Sequence, residues 1–336
     1  MVRNGEGIEE RVSGHKVREP RIEASDLVAR VARLHFEFGL THQETADSLG
    51  LSRVKVTRMV KQARQSGLVK ITIASDASPY AELEQEMMER FGLTEVIIVP
   101  SPSADAGNLR SLLALGTVSY ITRILRDDMT VAVGLSRTIG EAARLAAAGT
   151  QVRRSTAFVS LVGSLREGGA GSDSPFGASA ILAQAFGGSV EHLNAPIIVR
   201  SEAVALELMR DPAIAQSLER AAKADVLLAG VGGRVDRIDL SGQGYLEPHE
   251  WEELGAAGMV GDMCARYFDK DGRTVQHDVS SRVIGLTMEQ LQKIPTRLIV
   301  AGGASKRVAV RAVLRGHLAT VLVTDFKTAQ GLLKKE

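Results

Sequence analysis

From Tyr80 to the end of the chain, uninterrupted apolar runs of strand length alternate with helical stretches, and that alternation restricts the fold more than any other feature. The runs are Glu95 to Val99, Thr130 to Val133, Thr156 to Val162, Asp225 to Ala229, Leu298 to Ala301 and Thr320 to Val323. Helices are predicted at Asn108 to Arg126, Ile139 to Ala148, Pro175 to Phe186, Lys306 to Arg315 and Asp325 to Leu333. A strand that is apolar at consecutive positions is covered on both faces, so the pattern predicts a mostly parallel sheet between helical layers. Aromatic residues make up only 4% of the chain, which suits a layered α/β core better than an aromatic stacking surface for nucleic acid.

Parallel sheets of this kind bind ligands beyond the carboxyl ends of their strands. There the sequence places Gly134-Leu135-Ser136-Arg137-Thr138, Gly230-Val231-Gly232-Gly233-Arg234 and Ala301-Gly302-Gly303-Ala304-Ser305-Lys306, with a further glycine point at Val162-Gly163-Ser164. Small residues let a ligand approach the backbone. Helix-start N–H groups, hydroxyls and cations all suit a phosphate. One such loop is commonplace in α/β sheets; several in one domain favour a small anionic ligand over bare turns. No Walker A sequence and no strand-linked G-x-G-x-x-G with an acidic partner is present, which disfavours ATP and NAD, and no cofactor is expected. No G-x-S-x-G elbow marks a nucleophile.

The seven histidines (His15, His35, His42, His192, His249, His277, His317) show no paired spacing for a metal. The single cysteine, Cys264, excludes a disulfide framework and points to a reducing compartment. No apolar run approaches the ~20 residues of a spanning helix. Residues 1–24 are charged, lack a signal-peptide core and read as a disordered arm, so a cytoplasmic location is expected.

Residues 25–73 carry a different pattern. Leu27, Val31, Leu34 and Phe38 form one apolar stripe of a helix that Ser25 can cap and Gly39 ends. Thr41 and Glu44 have the spacing of a capping box, opening a short helix that closes at Gly50. Ser52 caps a third helix with Val56, Met59, Val60 and Ala63 on one face, and Leu68 to Ile73 alternates like a short strand. Two short helices joined by a glycine turn behind a supporting helix predict a helix-turn-helix. From Leu51 to Lys70 there are six basic residues (Arg53, Lys55, Arg58, Lys61, Arg64, Lys70) and no acidic one. With the apolar face covered, these cations point outward, where phosphates can meet them. The start of the second helix of such a motif enters the major groove. Ser52, Arg53, Lys55 and Thr57 are therefore placed at the bases, with Arg53 and Lys55 as candidate guanine readers. Arg58, Lys61 and Arg64 are placed at phosphates, and Thr41 and Gln43 join the DNA-facing set.

Residues 74–90 read as a Pro-ended linker followed by a charged amphipathic helix, Tyr80 to Arg90, with Leu83, Met87 and Met88 on its apolar side. It is a candidate for self-pairing, because a palindromic operator matches a protein of two-fold symmetry. Residues 91–336 then form the large α/β domain.

Taken together, the chain resembles the SorC family of sugar-responsive bacterial regulators from about Ser25 to Leu333. The resemblance is carried by Leu40-Thr41-His42-Gln43-Glu44, Leu49-Gly50-Leu51-Ser52-Arg53 and Ala63-Arg64. In the large domain it rests on Val133-Gly134 to Arg137-Thr138, Gly258-Met259-Val260-Gly261-Asp262, Arg266-Tyr267-Phe268-Asp269 and Asp271-Gly272. Ala301-Gly302-Gly303 through Lys306, and Thr324-Asp325 with Thr328-Ala329, complete it. It implies a Rossmann-like effector domain similar to ribose-phosphate isomerase and glucosamine-phosphate deaminase, with catalysis lost and binding of a sugar, polyol or sugar phosphate kept. It implies that Gly134, Ser136, Arg137 and Thr138 cradle a phosphate, that Asp262 accepts from ligand hydroxyls, and that Gly303 and Lys306 face the ligand. The chain departs from the family at Leu135, Ser136, Val54, Lys55 and Thr45.

The expected partners are thus double-stranded operator DNA, a sugar or sugar-phosphate effector, and further copies of the chain as a homodimer or homotetramer, with no membrane and no catalytic residue. The competing reading is a sugar-phosphate isomerase or deaminase, for which Asp262 or Glu250 would have to serve as general base.

Overall fold

The computed structural model describes residues 24–69, 78–102, 106–149, 154–164, 175–234 and 246–334. The chain divides into two units, Met1–Ala74 and Ser75–Glu336.

In the first unit, α1 (Ala24–Phe36), α2 (His42–Leu49) and α3 (Arg53–Gln65) enclose one small core. Thr41 caps α2 by accepting from the Glu44 N–H at 3.2 Å, while the Glu44 carboxylate accepts from the Thr41 N–H at 2.8 Å. Gly50 ends α2 in the left-handed region, at φ 64°, a conformation glycine enters without steric cost. Ser52 caps α3 by accepting from the Lys55 N–H. Val56, Met59, Val60 and Ala63 are buried as the pattern required.

The stripe on α1 is shifted from the expected one. Val28, Val31 and Ala32 enter the core, Ser25 lies within the helix instead of at its cap, and Phe38 is 68% exposed. The cause is the early end of α1 at Phe36, followed by Gly39 at φ 71°, which turns Phe38 away. Leu68 and Val69 form no strand; residues 70–73 of that segment, and the expected arm apart from Ala24, lie outside the described residues.

The second unit holds a seven-stranded, wholly parallel sheet in the order β1-β10-β9-β5-β2-β3-β4. Its strands are β1 (Glu95–Val99), β2 (Thr130–Val133), β3 (Ala157–Ser160), β4 (Ser189–Glu191), β5 (Val226–Gly230), β9 (Thr296–Val300) and β10 (Val321–Asp325). A small antiparallel sheet comprises β6 (Gly232–Gly233), β7 (Gly261–Met263) and β8 (Arg266–Phe268). The helices are α4 (Ala81–Phe91), α5 (Ala106–Ile124), α6 (Arg137–Gly149), α7 (Pro175–Phe186), α8 (Glu202–Arg210), α9 (Pro212–Ala222), α10 (Pro248–Ala256), α11 (Asp278–Ser281), α12 (Met288–Lys293), α13 (Arg307–Arg315) and α14 (Phe326–Leu333).

The strands are apolar throughout because alternate side chains enter different cores. Val131 and Val133 of β2, Val226 and Leu228 of β5, and Leu298 and Val300 of β9 pack with α5, α6 and α7. Ala132, Leu227, Ala229 and Ile299 point the other way, into a core shared with Met87, Ala221, Leu291, Val310 and Leu332. Each of the valine, leucine, isoleucine and methionine side chains contributes about 1.5–3 kcal/mol by leaving water.

The helix expected to serve self-pairing is α4, and its apolar side is covered within its own unit. Met87 is fully buried, and Tyr80, Leu83 and Met88 pack against the same core. The second unit therefore includes α4 rather than beginning at residue 91. The expected strand Thr156–Val162 is shorter than its apolar run, because Val162 leaves the sheet to bridge to Gly285.

From β2 the chain steps outward through β3 and β4; from β5 it builds the opposite side through β9 and β10. The order reverses between β2 and β5, and the crevice beyond their carboxyl ends is where such a sheet binds ligands.

Candidate functional site

On the first unit, the outer side of α3 is a cationic surface. Arg53, Arg58, Lys61 and Arg64 are exposed and Lys55 is half-buried, and none of the five makes an ion pair among the described residues. Lys70 lies outside the described residues. Thr57 is exposed, but its hydroxyl is engaged with the Arg53 carbonyl at 3.0 Å and His42 Nδ1 at 3.2 Å, linking α3 to α2. Thr41 and Ser52 are exposed caps, and Gln43 donates to Asp47 at 2.9 Å. Ser52 accepts in its cap and keeps its hydroxyl proton for a phosphate or base. Thr41 donates its proton to Glu44 at 2.8 Å, so it acts as a brace.

On the second unit, the crevice between β2 and β5 brings together residues that lie far apart in sequence. The β2 loop and the β5 end are in close contact: a β-carbon at Gly230 would stand 2.5 Å from Ser136 Oγ. Ser136 caps α6, accepting from the Thr138 N–H at 3.2 Å and, at longer range, from the Ile139 N–H. Arg137 is exposed at the helix start, and Thr138 is half-buried. Asp262 on β7 pairs in register with Gly232 on β6. Lys306 reaches in from the 3₁₀ turn Ala304–Lys306 and donates to the Val231 carbonyl at 2.8 Å. Ser136, Asp262 and Lys306 thus converge on one segment, Gly230–Gly233.

The turn between β7 and β8 is built from Cys264 and Ala265, both left-handed at φ 56° and 61°. This geometry is usual for Asn-Gly and strained for residues with a β-carbon. Asp262 holds the turn by accepting from the Ala265 N–H at 3.3 Å. Cys264 is buried against Gly134, where a β-carbon would stand 2.5 Å from its sulfur. Burial, reinforced by the charge of Asp262 and opposed by the Leu135 N–H and Arg266, pushes the Cys264 thiol up to about 12.

The third glycine loop is set by a carboxylate. Asp325, buried at the end of β10, accepts from the Gly303 N–H at 2.7 Å, from Ser101 Oγ at 2.6 Å and from Thr328 Oγ1 at 2.5 Å. Burial raises its pKa, but the hydrogen bonds from Ser101, Thr328 and Gly303 together outweigh burial and hold it below the usual carboxylate value.

A model described as "Putative sugar-binding domain" matches residues 75–334, and one described as a Crp-like helix-turn-helix domain matches residues 22–75. The transcriptional regulator LsrR of Klebsiella pneumoniae is 30% identical over 313 residues, covering 92% of this chain and 93% of that protein. The chain belongs to the SorC family of sugar-binding-domain transcriptional regulators. The LsrR of Enterobacter sp. strain 638 is 31% identical over 316 residues, covering 92% of this chain and 93% of its own length. Among solved structures, the sugar-binding domain of a Vibrio fischeri transcriptional repressor superposes with a TM-score of 0.70 at 29% identity, covering 75% of this chain and 98% of that one. The full-length sorbitol operon regulator SorC of Klebsiella pneumoniae has a TM-score of 0.72 at 22% identity, covering 93% and 99%. That likeness speaks to the fold.

Within this SorC-family frame, several residues have roles that sequence reasoning missed. Arg234 packs against α10: a β-carbon at Gly255 would stand 2.8 Å from its guanidinium. Gly163 is required where the chain passes the Ala195–Pro196 backbone, so it is a packing glycine. The Val231 carbonyl and the Cys264 turn were unmarked, because neither a carbonyl nor a strained turn has a residue signature. Among the described residues, no helix is long and apolar enough to cross a membrane, and no group of three or more His, Cys, Asp or Glu is placed to hold a metal.

Proposed function

We propose that this chain binds a two-fold operator through α3 as a homodimer or homotetramer in the cytoplasm, and that a sugar, polyol or sugar phosphate controls its affinity for that operator. The regulated genes serve carbohydrate or polyol catabolism, a reading in line with the name of one structural neighbour, a sorbitol operon regulator. The observation that carries the reading is the outer side of α3, where Arg53, Arg58, Lys61 and Arg64 stand exposed without an acidic residue among them. Such a surface exchanges its counterions for DNA phosphates. The effector sits in the β2–β5 crevice. There Arg137 and the start of α6 meet its phosphate, Asp262 accepts from its hydroxyls, and Gly303 and Lys306 close the far side.

The protein acts without catalysis. Glu250, one of the two bases open to an isomerase or deaminase reading, has one oxygen ion-paired to Arg282 and the other accepting from the Glu247 N–H; the other, Asp262, is engaged in bracing the β7–β8 turn through the Ala265 N–H. The effector works by biasing the arrangement of subunits, since an effector can shift only an equilibrium whose two states it binds unequally. Footprinting on DNA beside the chain's own coding region tests the reading: a protected, roughly symmetric site is expected, shifted in affinity by a phosphorylated or free polyol. No sequence outcompeting random DNA at moderate salt would overturn it.

A further inference from the structure

We infer that Val54 reads the 5-methyl group of a thymine in the major groove and so helps to set the operator sequence. The inference rests on the DNA-binding reading and adds a recognition element to it. Val54 is 79% exposed, more than any other large apolar side chain among the described residues. It lies in the first turn of α3, the part of a helix-turn-helix that meets base edges. At 100° per residue it points about 170° away from the centre of the face formed by Val56, Met59, Val60 and Ala63. Arg58 and Lys61 follow on the same outward line at i+4 and i+7, whereas Arg53 and Lys55 stand to either side. The centre of the reading surface is therefore apolar, and its cations form a collar.

A lone exposed valine is ordinary on a protein surface. This one has no apolar neighbour on its face of α3, where Thr57 and Arg58 follow it one turn on and Lys61 two turns on, so it makes no patch for a protein partner. Its complement is one small apolar group set among anions. A thymine methyl on the floor of a phosphate-walled groove has that chemistry. Valine is stiff at χ1 in a helix, so little rotamer freedom is lost when the contact forms.

The test uses the full-length chain and its footprinted operator, with each thymine replaced singly by deoxyuridine, which removes only the methyl. At one position per half-site, wild-type binding should weaken about fourfold, the equivalent of ~0.8 kcal/mol for one buried methylene-sized group. Val54→Ala should bind the unmodified operator more weakly and no longer distinguish thymine from uracil there. Val54→Ile should keep the distinction. Unchanged circular dichroism of both variants confirms folding. Site-specific binding without any methyl-sensitive position, or with the same sensitivity in Val54→Ala, overturns this inference and leaves the operator reading intact. No preference for any sequence over random DNA overturns both.

Discussion

Replacing Gly230 with alanine probes the contact that joins the two sides of the candidate ligand crevice. The backbone at Gly230 lies outside the left-handed region, so alanine meets no conformational penalty of its own. The new β-carbon would stand 2.5 Å from Ser136 Oγ and 2.7 Å from Ser136 Cβ, with the next neighbour, the Val300 carbonyl, at 3.8 Å. Only Ser136 is in the way. Rotating its hydroxyl aside removes the cap on α6, which costs ~1 kcal/mol. The Cβ contact persists and forces a backbone shift of the kind that costs 1–3 kcal/mol in a packed interior. Replacing a glycine also restricts the unfolded chain and offsets about 0.4–1 kcal/mol, which leaves a net loss of about 1–3 kcal/mol. The chain has one tryptophan, Trp251, whose ring packs edge-on to Tyr267 at 6.4 Å. Its fluorescence therefore follows the second unit alone, avoiding a composite transition. For a unit of this size the midpoint should fall by roughly 2–12 °C. Ser136→Gly alone should be nearly neutral, since glycine is tolerated at a helix cap. Combined with Gly230→Ala, it removes both clashing atoms, and the double variant should melt at or slightly above the wild type. A Gly230→Ala midpoint within ~1 °C of wild type, or a double variant no better than the single one, would refute the close approach of β2 and β5.

Arg53→Ala should relax base preference, whereas Lys61→Ala should weaken binding to all sequences alike and flatten the log affinity against log salt slope by ~1, as read by anisotropy titrations at several salt concentrations. Equal effects of both on every sequence would contradict their placement. Asp325, held below its ordinary pKa, contributes stability that is fully present above the unfolded carboxylate value of ~3.9 and is lost as the pH falls through its lower folded value. Asp325→Asn should therefore be less stable at pH 7 and show a shallower loss of urea midpoint below about pH 4; parallel acid limbs would refute the assignment. Cys264, with its thiol pushed up to about 12, should resist Ellman's reagent at pH 8 in the native protein and react with one equivalent in urea. Rapid native labelling would show that the sulfur is not sealed against Gly134.

The large strands were legible because burial on both faces writes an unbroken apolar run. Glu95 to Val99 and Thr130 to Val133 match β1 and β2 end for end, and the runs predicted for β3, β5, β9 and β10 begin and end within two residues of the strands. Caps were legible for a similar reason: Thr41, Gly50 and Ser52 act through local geometry that needs no tertiary context. The α1 stripe was misread because size was taken for burial. Where α1, α2 and α3 meet, the buried positions include Ala32, Ala46 and Ala63, small residues that let helices approach, while the larger Phe38 stays outside. The antiparallel sheet was missed because strands of two or three residues are too short to show a period. Arg266 also disguises β8, since it is buried yet donates to the carbonyls of Ser280, Val283, Gly285 and Leu286.

At the candidate effector crevice, the sequence marks the loops by their glycines without indicating what joins them. Local propensity would place Asn-Gly at the β7–β8 turn, yet the chain places Cys264-Ala265 there and holds both in the left-handed region. Such strain persists only where surrounding contacts over-determine it. Those contacts are present: the Asp262 carboxylate on the Ala265 N–H, the paired strands on either side, and the sulfur lodged where Gly134 has no side chain. The glycine at the start of the phosphate-cradle candidate therefore has a reason beyond ligand access. It makes room for the hairpin that carries Asp262, and the position of that carboxylate depends on a residue at the end of β2. Substituting either partner should disturb the other, so Gly134 and Cys264 form a unit that positions Asp262 within the candidate site.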